Sequence, residues 1–570
     1  MRLLLPATLC AALVSALWPL PSSYTHGDTV LWIDKNVKVN YSGVKSSGYQ
    51  SGGAPQGSQI IQAAIQRTHD AVFSKTFVPW KFHPRNSDYE PSTSGKKYIS
   101  SIELKQTKPD PVNVTKPLDG AVDESYKLSV SESGEVICSA ATSIGLVRGL
   151  TTFTQLFFKH SQGGSYTNLA PVDISDSPKF VHRGMNMDLS RNYFPVSDIK
   201  RQIDALAFNK FNRLHLHATD AQSWPLDIPS MPELAAKGAY ESSLTYTASQ
   251  LKELQYYGAL QGVEVYVEID MPGHTSAIWF SHPDLIAAFN VQPDWDTYCA
   301  EPPCGTLKLN DSAVPAFLEK LLDDLLPRVR PYTSYFHTGG DELNAQAYLL
   351  DDTVKSNDTD VLTPLLQKFV DRNHDQVRKM GLTPIVWEEM LLQWGLKLGS
   401  DVVVQTWQSD EAVAQTVAKG HKALVGNYEY WYLDCGQGQW LDFTPDAAAG
   451  YWPYQDYCSP RHNWRVMYDY DPLEGVPANS THLVLGGEVH AWAEQTDPVN
   501  LDKMVWPRAC AAAEVLWSGA KDAHGQNRSQ VEASPRLSDM RERLVASGVG
   551  AEPIQMPFCL QNGTQCRLDH

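Results

Sequence analysis

The stretch SYFHTGGDEL, Ser334–Leu343, decides the fold. Ser334 to Phe336 read as the end of an apolar strand. A histidine, two glycines and two adjacent carboxylates, Asp341 and Glu342, follow. Neighbours in a regular strand point to opposite faces. Both acids can serve one site only if the strand ends or bulges there, and Gly339-Gly340 permit that. Two close carboxylates repel, so one of the pair is expected to hold a proton near neutrality.

Seven more runs of this kind surround it: GMNMDLS (184–190), RLHLHAT (213–219), VEVYVEIDM (263–271), TPIVWEE (383–389), DVVVQTW (401–407), KALVGN (422–427) and LVLGGEVHAW (483–492). Helical segments such as VSDIKRQIDALAFN separate the early ones. Eight βα units predict a (β/α)8 TIM barrel with long loops. Chemistry in such barrels sits at the C-terminal strand ends. The runs end accordingly: Asp188, Asp220, Asp270 then His274, Asp341 with Glu342, Trp387, Trp407, and Trp492 with Glu494. A protonated acid beside an ionised one at such a site suits glycosidic cleavage.

Upstream, the strands SIELKQ, ESYKLSV and GEVICSA and a helix from Thr142 predict a small α+β domain over 98–178, with APVDISDSPKF as the linker to a catalytic domain over 179–570. Residues 17–97 are rich in Ser, Gly and Pro and end at the dibasic Lys96-Lys97, which reads as a pro-segment. Residues 1–16 carry one basic residue, an apolar run and small residues, a secretory signal. Seven Asn-x-Ser/Thr acceptors (Asn40, Asn113, Asn310, Asn357, Asn479, Asn527, Asn562) then predict a glycosylated, extracellular protein. Eight cysteines remain after the signal. Cys299–Cys304 and Cys559–Cys566 are spaced to staple loops, and Cys435 with Cys458 is the third expected bridge. Cys138 and Cys510 read as buried thiols. The net charge of −18 argues against nucleic-acid and anionic-membrane partners.

His337-x-Gly339-Gly340-Asp341-Glu342 resembles the signature of the family-20 glycoside hydrolases, the β-N-acetylhexosaminidases. The likeness continues in order through Arg183-Gly184 leading to Asp188, LHLHATDAQSW, Asp270-Met-Pro-Gly-His274, Val386-Trp387-Glu388, WYLD and Gly486-Gly-Glu-x-x-x-Trp492-x-Glu494. It is similar above all to the fungal, secreted members. The resemblance implies exo-cleavage of terminal β-linked N-acetylhexosamine from an oligosaccharide, with retention and without cofactor or metal. The substrate's 2-acetamido oxygen is then the nucleophile. Glu342 is expected as general acid and base, Asp341 as orienter of the acetamido N–H, and Tyr432 as holder of its oxygen. Trp387, Trp407 and Trp464 are expected to wall the acetyl pocket, and Trp492 to lie under the sugar. Arg183, Asp434 and Glu494 are expected to bind hydroxyls, with Asp220 and His274 behind Glu342. Trp464 reads equally as loop packing, Asp220 as a helix cap and Arg183 as a domain-interface ion pair. A homodimer, and association with a cleaved pro-segment, are implied as well.

Two rival functions stand beside this one. His215 and His217, with Glu268, His274 and Asp341, could form the metal site of a metal-dependent hydrolase; barrel-interior packing is the bland reading of the two histidines. A secreted carbohydrate-binding protein would use the tryptophans without turnover.

Overall fold

The computed structural model describes residues 17–44, 53–120, 122–563 and 565–568. The expected signal segment lies outside them. Eight parallel strands close into a barrel: His182–Asp188, Arg213–His217, Glu264–Glu268, Tyr335–His337, Thr383–Trp387, Val403–Thr406, Lys422–Val425 and Val484–Ala491. Each expected run supplies one of them. The strands stop short of the runs because the last residues of most runs have already turned into the loops above the barrel. Tyr266, Tyr335, Ile385, Val403, Leu424 and Leu485 fill part of the barrel interior. Outside it, helices bury a stripe against the strands, as Ile199, Ile203 and Leu206 do on Val196–Phe208.

The small domain is larger than expected. Its seven-stranded sheet runs Ser23–Ile33, Ser165–Asp176, Tyr126–Val130, Glu135–Ala140, Ser101–Gln106, Lys38–Ser42, with Phe158–Lys159 paired to the second of these. The domain therefore already includes Leu17 and does not start at 98. Residues 17–97, read as a pro-segment, supply two strands and the helix Gly57–Phe73 to the same core. The expected linker is also a strand as far as Asp176. Pro171 lies within it, although proline donates no ladder bond. The sheet accommodates it with an irregularity between His26 and Thr29, where a Cβ on Gly27 would lie 2.5 Å from Pro171 Cδ.

Arg183 is also placed differently from expectation. It stands near the start of the first barrel strand, at the end opposite the loops that follow the strands' C-terminal ends. Its guanidinium donates to Glu124 of the small domain (2.7 Å) and to the carbonyls of Lys210 (2.9 Å) and Phe180 (2.8 Å). It is the domain-interface ion pair, not a sugar ligand. Arg148 donates to the same Glu124 oxygen at 2.8 Å. Burial pushes the Glu124 carboxyl up, but the two guanidiniums outweigh it and hold it at about 2. Arg183 is itself lowered to about 10 by burial. Desolvation thus cancels part of the pair's gain, so removing one partner costs more than the pair is worth. Arg183→Met is expected to lower unfolding free energy by about 3–5 kcal/mol, read by denaturant titration, with KM of the folded enzyme unchanged. The folded pKa of Glu124 lies below its unfolded value. Its contribution is therefore whole above the ordinary carboxylate range and is lost as pH falls toward 2.

The bridges Cys299–Cys304, Cys435–Cys458 and Cys559–Cys566 are present, and Cys138 and Cys510 are buried free thiols. All seven sequon asparagines are exposed.

Candidate active site

The fourth barrel strand ends at His337, and two left-handed glycines follow, Gly339 at φ +67° and Gly340 at φ +110°. A Cβ at Gly339 would meet Asp270 Oδ1 at 1.8 Å, and one at Gly340 would meet Met390 at 2.7 Å. Only glycine fits either place. Glu342 is itself left-handed at φ +52°, a strained conformation of the kind that clusters at functional sites. The turn separates the two acids. Asp341 is buried, whereas the Glu342 side chain is 36% exposed.

Their neighbours differ too. Asp341 hydrogen-bonds Asp270, which also accepts from Gly340 N at 2.8 Å. Burial and then the charge of Asp341 push Asp270 well above the usual carboxylate range; burial raises Asp341 less. The shared proton expected between Asp341 and Glu342 therefore belongs to Asp270 and Asp341, with Asp270 its holder and Asp341 the ionised partner. Glu342 instead faces His274, whose Nε2 is 3.3 Å from Oε2. His274 Nδ1 is 3.0 Å from Asp220 Oδ1. Burial opposes a charge on His274, but Asp220 and Asp341 outweigh it and keep the ring cationic. Asp220 is fully committed below Glu342 and begins no helix.

Trp387, Tyr432 and Trp492 pack as one cluster against the Cys435–Cys458 bridge, with Trp407 at its edge. Trp407 and Tyr432 stack at 6.2 Å and 16°. Glu268 accepts from Trp387 Nε1 at 2.8 Å, and Glu389 from Trp407 Nε1 at 3.0 Å. Trp464 is absent from this box. It opens the helix Trp464–Asp469 and packs in the main core beneath Arg465, 4.4 Å from its ring. Its loop-packing reading is the correct one. Asp434 and Glu494 lie beyond Tyr432 and Trp492. Burial raises Asp434 to about 7 and pushes Glu494 well above the usual carboxylate range. The buried Asp434 Oδ1 has no hydrogen-bond donor among the described residues, as expected of an acceptor that a ligand completes.

Sequence reasoning missed Arg191. It lies three residues after Asp188 and contacts Asp188 (3.4 Å), Asp220 (3.0 Å) and Glu301, with its guanidinium 5.4 Å over Trp492. It is the cation among these acids that Arg183 was expected to be. The signal was available: a basic residue in the loop directly after the first strand. Glu301 arrives on the loop stapled by Cys299–Cys304.

The family described as "Glycosyl hydrolase family 20, catalytic domain" matches residues 180–520, and "beta-acetyl hexosaminidase like" matches residues 17–156. The chain belongs to glycosyl hydrolase family 20. A beta-hexosaminidase of Arthroderma benhamiae is 44% identical over 600 aligned positions, covering 97% of this chain and 98% of that one. Beta-hexosaminidase 1 of Coccidioides posadasii is 30% identical, covering 100% and 99%. The crystal structure of a Flavobacterium johnsoniae chitobiase superposes with a TM-score of 0.70 at 25% identity, covering 94% of this chain and 73% of that one.

In this family-20 hydrolase the rival metal set does not converge on one point. His215 and His217 lie inside the barrel, and each of their ring nitrogens is within 3.1 Å of a Glu268, Glu488 or Asp220 oxygen. His274 and Asp341 sit above, around Glu342. The two strand histidines form an ion-pair network, in line with their bland reading.

Proposed function

We propose that the protein is an exo-acting, retaining β-N-acetylhexosaminidase in which the substrate's own 2-acetamido group is the nucleophile. The observation that carries this reading is the separation of the two acids. Asp341 is buried and its charge is felt by Tyr432 of the tryptophan box, where an acetamido group would sit, while Glu342 is partly exposed and faces His274.

Glu342 protonates the leaving oxygen as the acetamido oxygen attacks C1 and the glycosidic bond breaks. Asp341 accepts from the acetamido N–H and balances the charge that develops on the oxazolinium ring. The Tyr432 hydroxyl donates to the acetamido oxygen and aims it. Ionised Glu342 then takes a proton from water, which opens the ring at C1 from the face the aglycone left. The nucleophile is intramolecular, so the entropy of bringing it to C1 is already spent. Trp387 and Trp407 enclose the acetyl methyl, and Trp492 lies under the sugar face. Asp434, Glu494 and Arg191 bind hydroxyls, and the Arg191 guanidinium adds charge-assisted donors.

The exposed sequons and the expected signal support an extracellular, glycosylated enzyme. A cut after Lys97 would leave residues 17–97 held to the body through two sheet strands and a helix. The homodimer implied by the resemblance would have an aromatic surface to cover, including Trp452 (76% exposed) and Tyr457 (68% exposed).

Proton NMR of the first-formed sugar tests the mechanism. The β anomer is expected first, with the α anomer appearing only by mutarotation. Initial release of α would rule out a double displacement through the acetamido group.

A further inference from the structure

Four side chains, His274, Asp220, His217 and Glu268, form an unbroken line beneath Glu342. His274 Nε2 is 3.3 Å from Glu342 Oε2, and His274 Nδ1 is 3.0 Å from Asp220 Oδ1. His217 continues the line, with Nε2 at 2.7 Å from Asp220 Oδ2 and Nδ1 at 2.6 Å from Glu268 Oε2. Carboxylate and imidazole alternate throughout. The last two residues, His217 and Glu268, are fully buried inside the barrel, where no substrate reaches them. The other oxygen of Glu268 turns to the opposite half of the site. It accepts from Trp387 Nε1 at 2.8 Å and lies 3.1 Å from His337 Nδ1.

We propose that His217 and Glu268 are positioning residues for the general acid. They form a buried imidazolium–carboxylate pair that keeps Asp220 ionised and His274 oriented, and that ties this relay to the acetamido pocket through Trp387. The inference rests on the reading of Glu342 as the general acid.

The geometry requires a doubly protonated His217. A neutral imidazole has one N–H and one lone pair. With carboxylate oxygens at both nitrogens, the lone pair would oppose one of them. The imidazolium satisfies both. Burial disfavours that charge, but Glu268 and Asp220 outweigh it and raise His217 well above the usual histidine range. Burial likewise raises Glu268, but His337, His217 and His215 outweigh it and hold it low.

Other charges face this pair from every side. On the same strand, His215 Nε2 is 2.9 Å from Glu268 Oε2, and its Nδ1 is 3.1 Å from Glu488. Asp270 lies beside His217 and Asp220. Arg191 reaches Asp220 at 3.0 Å, backed by Asp188 and Glu301. The Trp492 and His217 rings meet edge to face, with centroids 5.0 Å apart.

Glu268→Gln separates positioning from support. Its amide oxygen still accepts from Trp387, while its amide nitrogen replaces the charge that holds the proton on His217. A neutral His217 removes the positive charge nearest Asp220. His274 then sits in a more negative field and holds its proton to higher pH. The alkaline limb of kcat/KM is expected to move up by about half a pH unit, with KM changed less than about twofold because the pocket wall is kept. His217→Gln is expected to shift the limb equally, and the double variant no further, as for groups acting as one unit.

An unmoved limb with only a lower Tm would overturn the proposal and leave the pair a structural support. If the variants do not fold, wild-type enzyme labelled with 15N-histidine decides. Two protonated nitrogens on His217 at pH 8 support the proposal, and a neutral ring overturns it. Failure of the underlying reading looks different: Glu342→Gln would then keep its activity. With that activity lost and the limb unmoved, only this inference fails.

Discussion

Glu342→Gln is expected to lower kcat/KM by about 10³-fold on substrates whose aglycone leaves as an alkoxide, within the range for a lost general acid–base. The loss should shrink as the leaving group becomes more acidic, because a good phenolate departs without a proton. Glutamine keeps the volume and cannot donate a proton to the departing oxygen. The variant should also fold normally, since Glu342 is the partly exposed member of the pair and His274 retains Asp220. Binding of N-acetylglucosamine should survive, because the sugar contacts assigned above lie on other residues. A carbohydrate-binding protein without turnover would show equal behaviour of wild type and variant in both assays.

Asp341→Asn is expected to cost about 10²–10³-fold in kcat, comparable to removing one preorganised electrostatic partner of a developing charge. The effect should fall on kcat rather than KM, because the charge on the acetamido nitrogen grows only as the ring closes. Steady-state kinetics on an aryl N-acetylglucosaminide separate the two. The buried pair with Asp270 sharpens the prediction. Asparagine turns a shared-proton contact into an amide facing an acid, so the variant's acidic limb should differ from wild type. A loss below threefold with an unchanged profile would remove Asp341 from the mechanism.

The barrel was legible because its strands are buried on both faces and so read as apolar runs, each followed by a turn carrying polar residues. The direction of a parallel strand then sorts residues into chemistry and support. Applied strictly, that rule already separates the two arginines. Arg183 stands at the start of the first strand, and Arg191 follows its end beside Asp188. Motif likeness to Arg183-Gly184 pointed the other way. Trp464 was misassigned because a tryptophan in a loop looks alike whether it lines a pocket or plugs a core. Only the packing of its helix against the helix Arg508–Ser518 separates the two. The place of the stretch 17–97 in the sheet was hidden for a compositional reason. Ser, Gly and Pro signal irregular chain, yet Ser23–Ile33 is held by a partner strand more than a hundred residues away. The pairing of Asp341 with Asp270 was not legible at all, since it joins the ends of two different strands through a turn only glycine can make.

The central claim is that the substrate supplies the nucleophile, and one comparison tests it most directly. Wild-type enzyme is given two chromogenic β-glycosides with the same aglycone, an N-acetylglucosaminide and a glucoside. The account predicts turnover of the first and scarcely any of the second, because the glucoside has no oxygen placed to attack C1 and the site offers no carboxylate in that role. Comparable cleavage of both would contradict it and require a protein nucleophile.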